Sequence, residues 1–469
     1  MATSALYSCF ALFHLLLLRE CVGSPEGDRI AELERKVKDL ETALNDLEPL
    51  FVARYGLTRH CLPPIVAHGE AKCDSKKLSP GSECTLICNA GYIETPGKSA
   101  ATCREGGVWS SELQCEVPLV LISGGSEESD ESDMELLSFY PSTGCDISLS
   151  EPPFVDGKPR SLHNLLYVPP QNVLACNGMS GENVATCEQL NITSNTWKHH
   201  SKPNKGSAAI DAMCNIDSSV MSYRCKANKE RGKGRYAAEA LFIDDQIIVA
   251  GGMVYDSHGH EPTNTVRHHG IDGLGSYWAN VGGGPMKKKR AFFCSAKVKD
   301  NGILAIGGLG HDGKTNVVEQ SVELIQTDRD IDPSLKADMS LPRSGHGCTD
   351  IPNKKSSVLV SGGTTGFGHN ALVYSEVFDW VKNSWETVAE MRKGRFGHAL
   401  VAVGEKVFAI GGDEKNPRNL LDTIEEYDIQ RNLWKPVGKK LKKPRANFGF
   451  TLIPHSLFKG CVINKPLRE

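Results

Sequence analysis

Two hydrophobic rhythms divide the chain. Apolar side chains recur at Ile30, Leu33, Val37, Leu40, Leu44 and Leu47, at spacings that alternate three and four. This is the heptad of an α-helical coiled coil, with Ile30, Val37 and Leu44 at a and Leu33, Leu40 and Leu47 at d. Arg29 and Lys36 fall at g, and Glu34 and Glu41 at e. A parallel assembly sets Arg29 against Glu34, and Lys36 against Glu41, of a neighbouring helix. Pro49 ends the helix. Residues 28–48 are predicted to associate with copies of themselves as a parallel dimer or trimer.

From Pro118 onward the rhythm is that of strands. A short apolar run ending in small residues, Val120-Leu121-Ile122-Ser123-Gly124-Gly125, returns at 173–178, 247–252, 303–308, 358–363 and 407–412. Five of the six copies end in Gly-Gly and one in Asn177-Gly178. Continuous apolar runs of this length read as strands buried on both faces, and the glycines as sharp turns with a neighbouring backbone close by. Arginines lead the preceding strands at Arg160, Arg235, Arg290, Arg343 and Arg395, and tryptophans follow at Trp197, Trp278, Trp385 and Trp434. The pattern resembles the kelch repeat across residues 117–469. That resemblance implies six four-stranded blades around an axis, with each tryptophan packed between blades. The first glycine pair lacks a leading arginine strand, and the strand led by Arg445 lacks a following glycine pair. The C-terminal strand is therefore expected to complete the first blade and leave no open edge.

Cysteine usage sets the compartment. The apolar run Leu12–Leu18, broken by His14, is too short to span a bilayer and is followed by the small Gly23. It predicts a signal peptide over 1–23, a secreted product beginning at Ser24 and no transmembrane segment. Cys9 and Cys21 leave with it, so fourteen of the sixteen cysteines remain, an even number that reads as disulfides. Six of them, with Cys61-Leu62-Pro63-Pro64, Cys88-Asn89-Ala90-Gly91-Tyr92 and Gly107-Val108-Trp109, resemble a sushi module over 61–116. The resemblance implies Cys61–Cys103 and Cys88–Cys115, and the extra Cys73 and Cys84 are similar to the added bridge of selectin-type modules. Cys145–Cys461 is expected to lock the closure. Cys176–Cys187, Cys214–Cys225 and Cys294–Cys348 complete the set, and Asn191 heads the one N-glycosylation sequon. The fold class is thus mainly β. A coiled coil over 24–50 and a linker over 51–60 precede the sushi module and a six-bladed kelch β-propeller. The stretch from Arg29 to Glu34 is also similar to a short trimerisation motif, so two and three strands both stay open.

Net charge is -4, so no global field dictates a nucleic-acid partner. Cations cluster locally, in the runs that lead the arginine strands. They are Lys233 and Arg235; Lys287, Lys288, Lys289 and Arg290; Arg392 and Lys393; and Lys439, Lys440, Lys442 and Lys443. On one face they would meet an extracellular protein with an acidic segment, or an anionic polysaccharide. The acidic run 127–133 reads as a solvated loop on that face. No nucleophile elbow, phosphate loop or zinc helix appears, and neither a cofactor nor a metal is predicted. His258, His260, His268 and His269 read as a solvated loop. Two other classes compete: a copper enzyme resembling galactose oxidase, for which Tyr236 and Tyr277 flank the histidines, and a matrix or coat component.

Deleting residues 24–50, or changing Leu33 and Leu40 to Asp, is expected to yield a folded monomer. Light scattering that still showed the native oligomer would place association elsewhere.

Overall fold

The computed structural model describes residues 60–76, 78–125, 134–145, 149–150, 160–176, 178–180, 182–183, 187–198, 213–217, 222–226, 235–243, 246–256, 259–270, 279–280, 284–298, 302–327, 333–366, 368–415 and 418–463. The expected signal peptide over 1–23 and coiled coil over 24–50 fall on residues outside them. The chain divides into two compact units.

The first unit takes its described residues from 60–63, 73–83 and 102–110. Too small for a hydrophobic core of its own, it is pinned by the Cys61–Cys103 disulfide, with Cα atoms 5.9 Å apart. The Trp109 indole N–H donates to the Leu62 carbonyl at 2.8 Å, and Gly81 N–H donates to the Cys103 carbonyl at 2.8 Å.

The second unit, residues 64–72, 84–101 and 111–469, carries the repeats. Its main antiparallel sheets follow one another along the chain. The first sets Gly449–Pro454 beside Pro118–Ser123 and Met134–Leu137, so the last long strand pairs with the first. The second runs Asn164–Val168, Asn172–Cys176, Cys187–Asn191, Thr196–Lys198, and the third Glu239–Ile243, Gln246–Ala250, Val266–Gly270, Ala279–Asn280. The fourth runs Cys294–Val298, Gly302–Ile306, Val322–Gln326, Ser334–Lys336. The fifth is Gly347–Asp350, Ser357–Ser361, Ser375–Asp379, Ser384–Val388, and the sixth Ala399–Val403, Lys406–Ile410, Thr423–Asp428, Leu433–Lys440. Each apolar run of the sequence is a second strand, buried on both faces.

Packing joins each sheet to the next. Leu119 and Leu121 of the first sheet pack with Val173 and Leu190 of the second, whose Leu166 and Leu174 pack with Ile247 and Val249 of the third. The third and fourth share Ile248 and Ile303, the fourth and fifth Leu304 and Val358, and the fifth and sixth Leu359 and Val407. Phe408 and Ile410 of the sixth then pack with Val120 and Ile122 of the first.

Two hydrogen-bond circuits follow the same path. The residue two positions after each leading arginine donates its N–H to its counterpart in the preceding sheet: Ala237 to Leu162, Phe292 to Ala237, Gly345 to Phe292, Gly397 to Gly345, Asn447 to Gly397 and Leu162 to Asn447, at 2.7–3.1 Å. All six have φ between 52° and 63°: Leu162, Ala237, Phe292, Gly345, Gly397 and Asn447. The second circuit runs from the glycine pairs to the arginines. Gly125, Gly178, Gly252, Gly308, Gly363 and Gly412 donate to the carbonyls of Arg160, Arg235, Arg290, Arg343, Arg395 and Arg445.

Tryptophans and asparagines add a third link. The N–H of Ala389 donates to Asn432 Oδ1 at 2.8 Å, while Trp434 Nε1 donates to the carbonyl of the same residue at 3.0 Å. Two side chains thus imitate a neighbouring strand. Asn383 and Trp385 hold Ala337 in this way, and Asn195 and Trp197 hold Ser150. In the fourth sheet the corresponding strand carries Leu335, which is exposed.

A Cβ at position 345 would meet nothing nearer than 3.5 Å, whereas at position 397 it would lie 2.3 Å from Asn447 Oδ1. Gly345→Ala is therefore expected to cost about 1 kcal/mol, the left-handed backbone alone. Gly397→Ala should cost at least twice that. Equal melting temperatures for the two variants in calorimetry would contradict the circuit.

Candidate binding face

The arginines that lead the strands are not surface cations. Arg290 is fully buried. Its guanidinium donates to the Gly307 and Ser321 carbonyls at 2.6 and 2.8 Å and pairs with the buried Glu323 at 2.9 Å. Arg343 pairs with Glu376, Arg395 with Glu425 and Arg160 with Glu188, at 2.8–2.9 Å. Burial pulls the Arg343 and Arg395 guanidiniums down from their ordinary range, and the charges of Glu376 and Glu425 oppose that pull. A buried charge persists only when paired and hydrogen-bonded, and this set supplies both. The placement of Arg235 and Arg290 on a ligand face is corrected accordingly. Arg235 is also buried and donates to the Gly251 carbonyl at 3.1 Å.

The carboxylates shape the loops as well. Glu323 accepts the backbone N–H groups of Lys287 and Lys288 at 2.6 and 3.1 Å. Glu425 holds Arg392 and Lys393 in the same manner, Glu135 holds Lys442, and Glu376 holds Ser340. Lys287, Lys288, Lys289, Arg392 and Lys442 are exposed on these fixed loops, and Lys393 and Lys443 are half-buried. Part of the cationic charge is met locally. Lys288 pairs with Glu319 at 2.7 Å and Lys289 with Glu261 at 3.2 Å. Lys439 and Lys440 lie on the last strand of the sixth sheet rather than in the loop after it. Their ammonium groups reach Ser138 O and Asp422. No side-chain hydrogen bond or ion pair of Lys287 or Arg392 is seen among the described residues, and the Lys442 ammonium acts on Glu135 only through its charge. Lys233, the run 127–133 and His258 lie outside the described residues, as does the side chain of His269.

In an antiparallel sheet the turn between strands one and two lies at the end opposite the loop between two and three. Segments 64–72, 84–101 and 111–116 meet the first of these ends. Gly404, in the sixth sheet's first turn, donates to the Gly91 carbonyl at 2.7 Å. Lys355, in the fifth's, pairs with Glu70 at 2.6 Å, and Ser456 N–H donates to Glu116 at 2.9 Å. The fixed basic loops stand at the other end. There Thr263 bridges Arg290, and Ser344 bridges Thr364 across the loops.

One sheet departs from the rule. In the third, Arg267 occupies the ladder position that Glu323 holds in the fourth. Near it, Tyr236 Oη and His260 Nδ1 are 3.1 Å apart. No three metal-type ligands gather among the described residues. A galactose-oxidase-like centre needs a cysteine joined to tyrosine, and every cysteine whose side chain is described is disulfide-bonded. The bonds seen are Cys61–Cys103, Cys88–Cys115, Cys145–Cys461 and Cys294–Cys348. Cys73, Cys84 and Cys176 are bonded too, and the backbone register sets Cys176 opposite Cys187 and Cys214 opposite Cys225. Asn191 closes the third strand of the second sheet, half-buried, with Oδ1 accepting from Ser194 N–H.

Comparison with known proteins agrees with this geometry. Residues 394–440 match the Kelch motif and residues 61–115 the Sushi repeat (SCR repeat). Kelch-like protein 34 of Homo sapiens is 31% identical over 208 residues, 41% of this chain and 30% of its own length. Kelch-like protein 7 of Rattus norvegicus is 41% identical over 63 residues, 13% of this chain and 10% of its own. The Kelch domain-containing protein 10 homolog of Drosophila melanogaster is 32% identical over 107 residues, 21% of this chain and 17% of its own. The chain thus spans less than a third of the length of these relatives. The chain is mainly β and disulfide-bonded, with one segment that matches the Kelch motif and one that matches the Sushi repeat. No helix among the described residues is long and apolar enough to cross a membrane.

Glu323→Gln should leave Arg290 buried without a counter-charge, at a cost of about 3–5 kcal/mol, and release the backbone of Lys287 and Lys288 to protease. Lys287→Ser should shift stability by less than about 0.5 kcal/mol. Calorimetry with limited proteolysis separates the two. Equal effects would mean that the carboxylate does not organise the loop.

Proposed function

We propose that this chain is a secreted, oligomeric recognition protein that binds rather than catalyses. Residues 1–23 would direct secretion and 24–50 associate the chains. The sushi module would occupy 61–116, and a six-bladed propeller 117–469. The observation that carries this reading is the set of exposed cations on loops fixed by buried carboxylates. They stand at the end of the sheets away from segments 64–72 and 84–101. Kelch and Sushi matches support protein recognition, and the disulfides support an oxidising, extracellular setting. The partner would be anionic, an acidic protein segment or a sulfated polysaccharide. Each contact is weak and salt-screened, so association of two or three chains would supply avidity.

Heparin chromatography over a salt gradient tests this. Lys287, Arg392 and Lys442 changed together to Ser should elute at clearly lower salt than wild type, whereas Lys459→Ser should not. Co-elution of the triple variant with wild type would remove the face from consideration.

A further inference from the structure

The third residue after each leading arginine plugs the seam with the preceding sheet. In two seams it is phenylalanine. Phe293 Cε1 lies 2.7 Å from where a Cβ of Gly251 would stand, and Phe448 Cε1 lies 3.1 Å from that of Gly411. In the seams on either side of the fifth sheet it is histidine. His346 Cε1 stands 2.8 Å from the Cβ position of Gly307 in the fourth sheet, and His398 Cε1 2.7 Å from that of Gly362 in the fifth. His163 takes the equivalent place against Gly124, so the fifth is the sheet with histidine at both seams. Both rings are buried, and neither has a ring nitrogen in hydrogen-bond geometry with a described residue.

We propose that the fifth sheet is an acid-responsive element of the fold: in mildly acidic surroundings its two seams loosen reversibly while the seams plugged by phenylalanine stay closed.

The surroundings of the rings favour the neutral form. His346 faces Arg343, Arg290 and His398, and His398 faces Arg395. The third-strand carboxylates Glu376 and Glu425 are committed to Arg343 and Arg395. The Ile306 and Arg395 backbones favour a protonated ring, but burial outweighs them. His398 is held at about 3 and His346 well below 6.5. An opened seam returns each ring to 6.5, so the open state takes up protons as pH falls below that value, and at His398 opening gains until about pH 3. At pH 5 the opening equilibrium should rise about 30-fold for each histidine released. Asp350, raised to about 6 by burial in the fifth sheet, acts the other way over the same range if it is exposed with them. The Cys294–Cys348 disulfide joins the innermost strands of the fourth and fifth sheets. It keeps an opened sheet tethered and lets it close again.

Hydrogen exchange of the full chain at pH 7 and pH 5, corrected for intrinsic rates, is the test. Amides of Gly347–Asp350, Ser357–Ser361 and Ala399–Val403 should lose at least tenfold protection at pH 5. Those of Gln246–Ala250 in the third sheet, beyond the seam plugged by Phe293, should not. A variant carrying His346→Phe and His398→Phe, residues already used at the equivalent positions 293 and 448, should abolish the change. Protection of the fifth sheet that is equal at both pH values, or a pH response retained in the double variant, would overturn the proposal. Wild type gives an answer without the variant: the logarithm of the opening constant should fall as pH rises, at a slope approaching two protons where Asp350 stays covered and about one where it is exposed, and a flat line refutes the device.

Discussion

A guanidinium can be taken out of water only where its charge and its donors are both met, and the leading arginines meet that condition across three elements at once. The side chains of Arg290, Arg343 and Arg395 bond the glycine carbonyl that follows their own second strand and the glutamate of their own third strand. Their backbone carbonyls accept from the glycine of the preceding sheet. Removing one arginine would therefore loosen a sheet internally, detach it from its neighbour and release the loop that the same glutamate organises. The glycine pair follows from this arrangement. At Gly308 a Cβ would stand 2.6 Å from Phe293 Cβ and 2.7 Å from the Ala291 carbonyl, so no larger residue lets the arginine strand approach.

The strands were legible because burial on both faces leaves an unbroken apolar run, and Gly-Gly marks where each ends. The first sheet's closure was legible from a mismatch, an arginine strand without glycines and a glycine pair without an arginine. The candidate face was read less well. A basic run such as Lys287 to Arg290 looks uniform, yet its first three members are exposed and its fourth is buried. The distinguishing signal was present at long range: a glutamate follows the buried arginine by 28–33 residues, at Glu188, Glu323, Glu376 and Glu425. Its absence at Arg267 marks the third sheet as different. The left-handed residues were hidden because Leu162, Ala237 and Phe292 give no hint of positive φ, which Gly345, Gly397 and Asn447 do.

Segments 64–72 and 84–101 alter how the sushi match bears on this molecule. A module joined by a flexible tether would contribute reach. Here Gly91, Glu70 and Glu116 bond directly to the first turns and the chain exit of the sheets. Part of the module is packed as one unit with the repeats, at the end of the sheets opposite the basic loops.

The circuit through Leu162, Ala237, Phe292, Gly345, Gly397 and Asn447 has neither a first nor a last member. A helix unravels from its termini and a linear repeat array needs capped ends. A closed head-to-tail loop of peptide groups offers no such starting point. Opening the ring therefore means breaking one seam outright, not fraying an end.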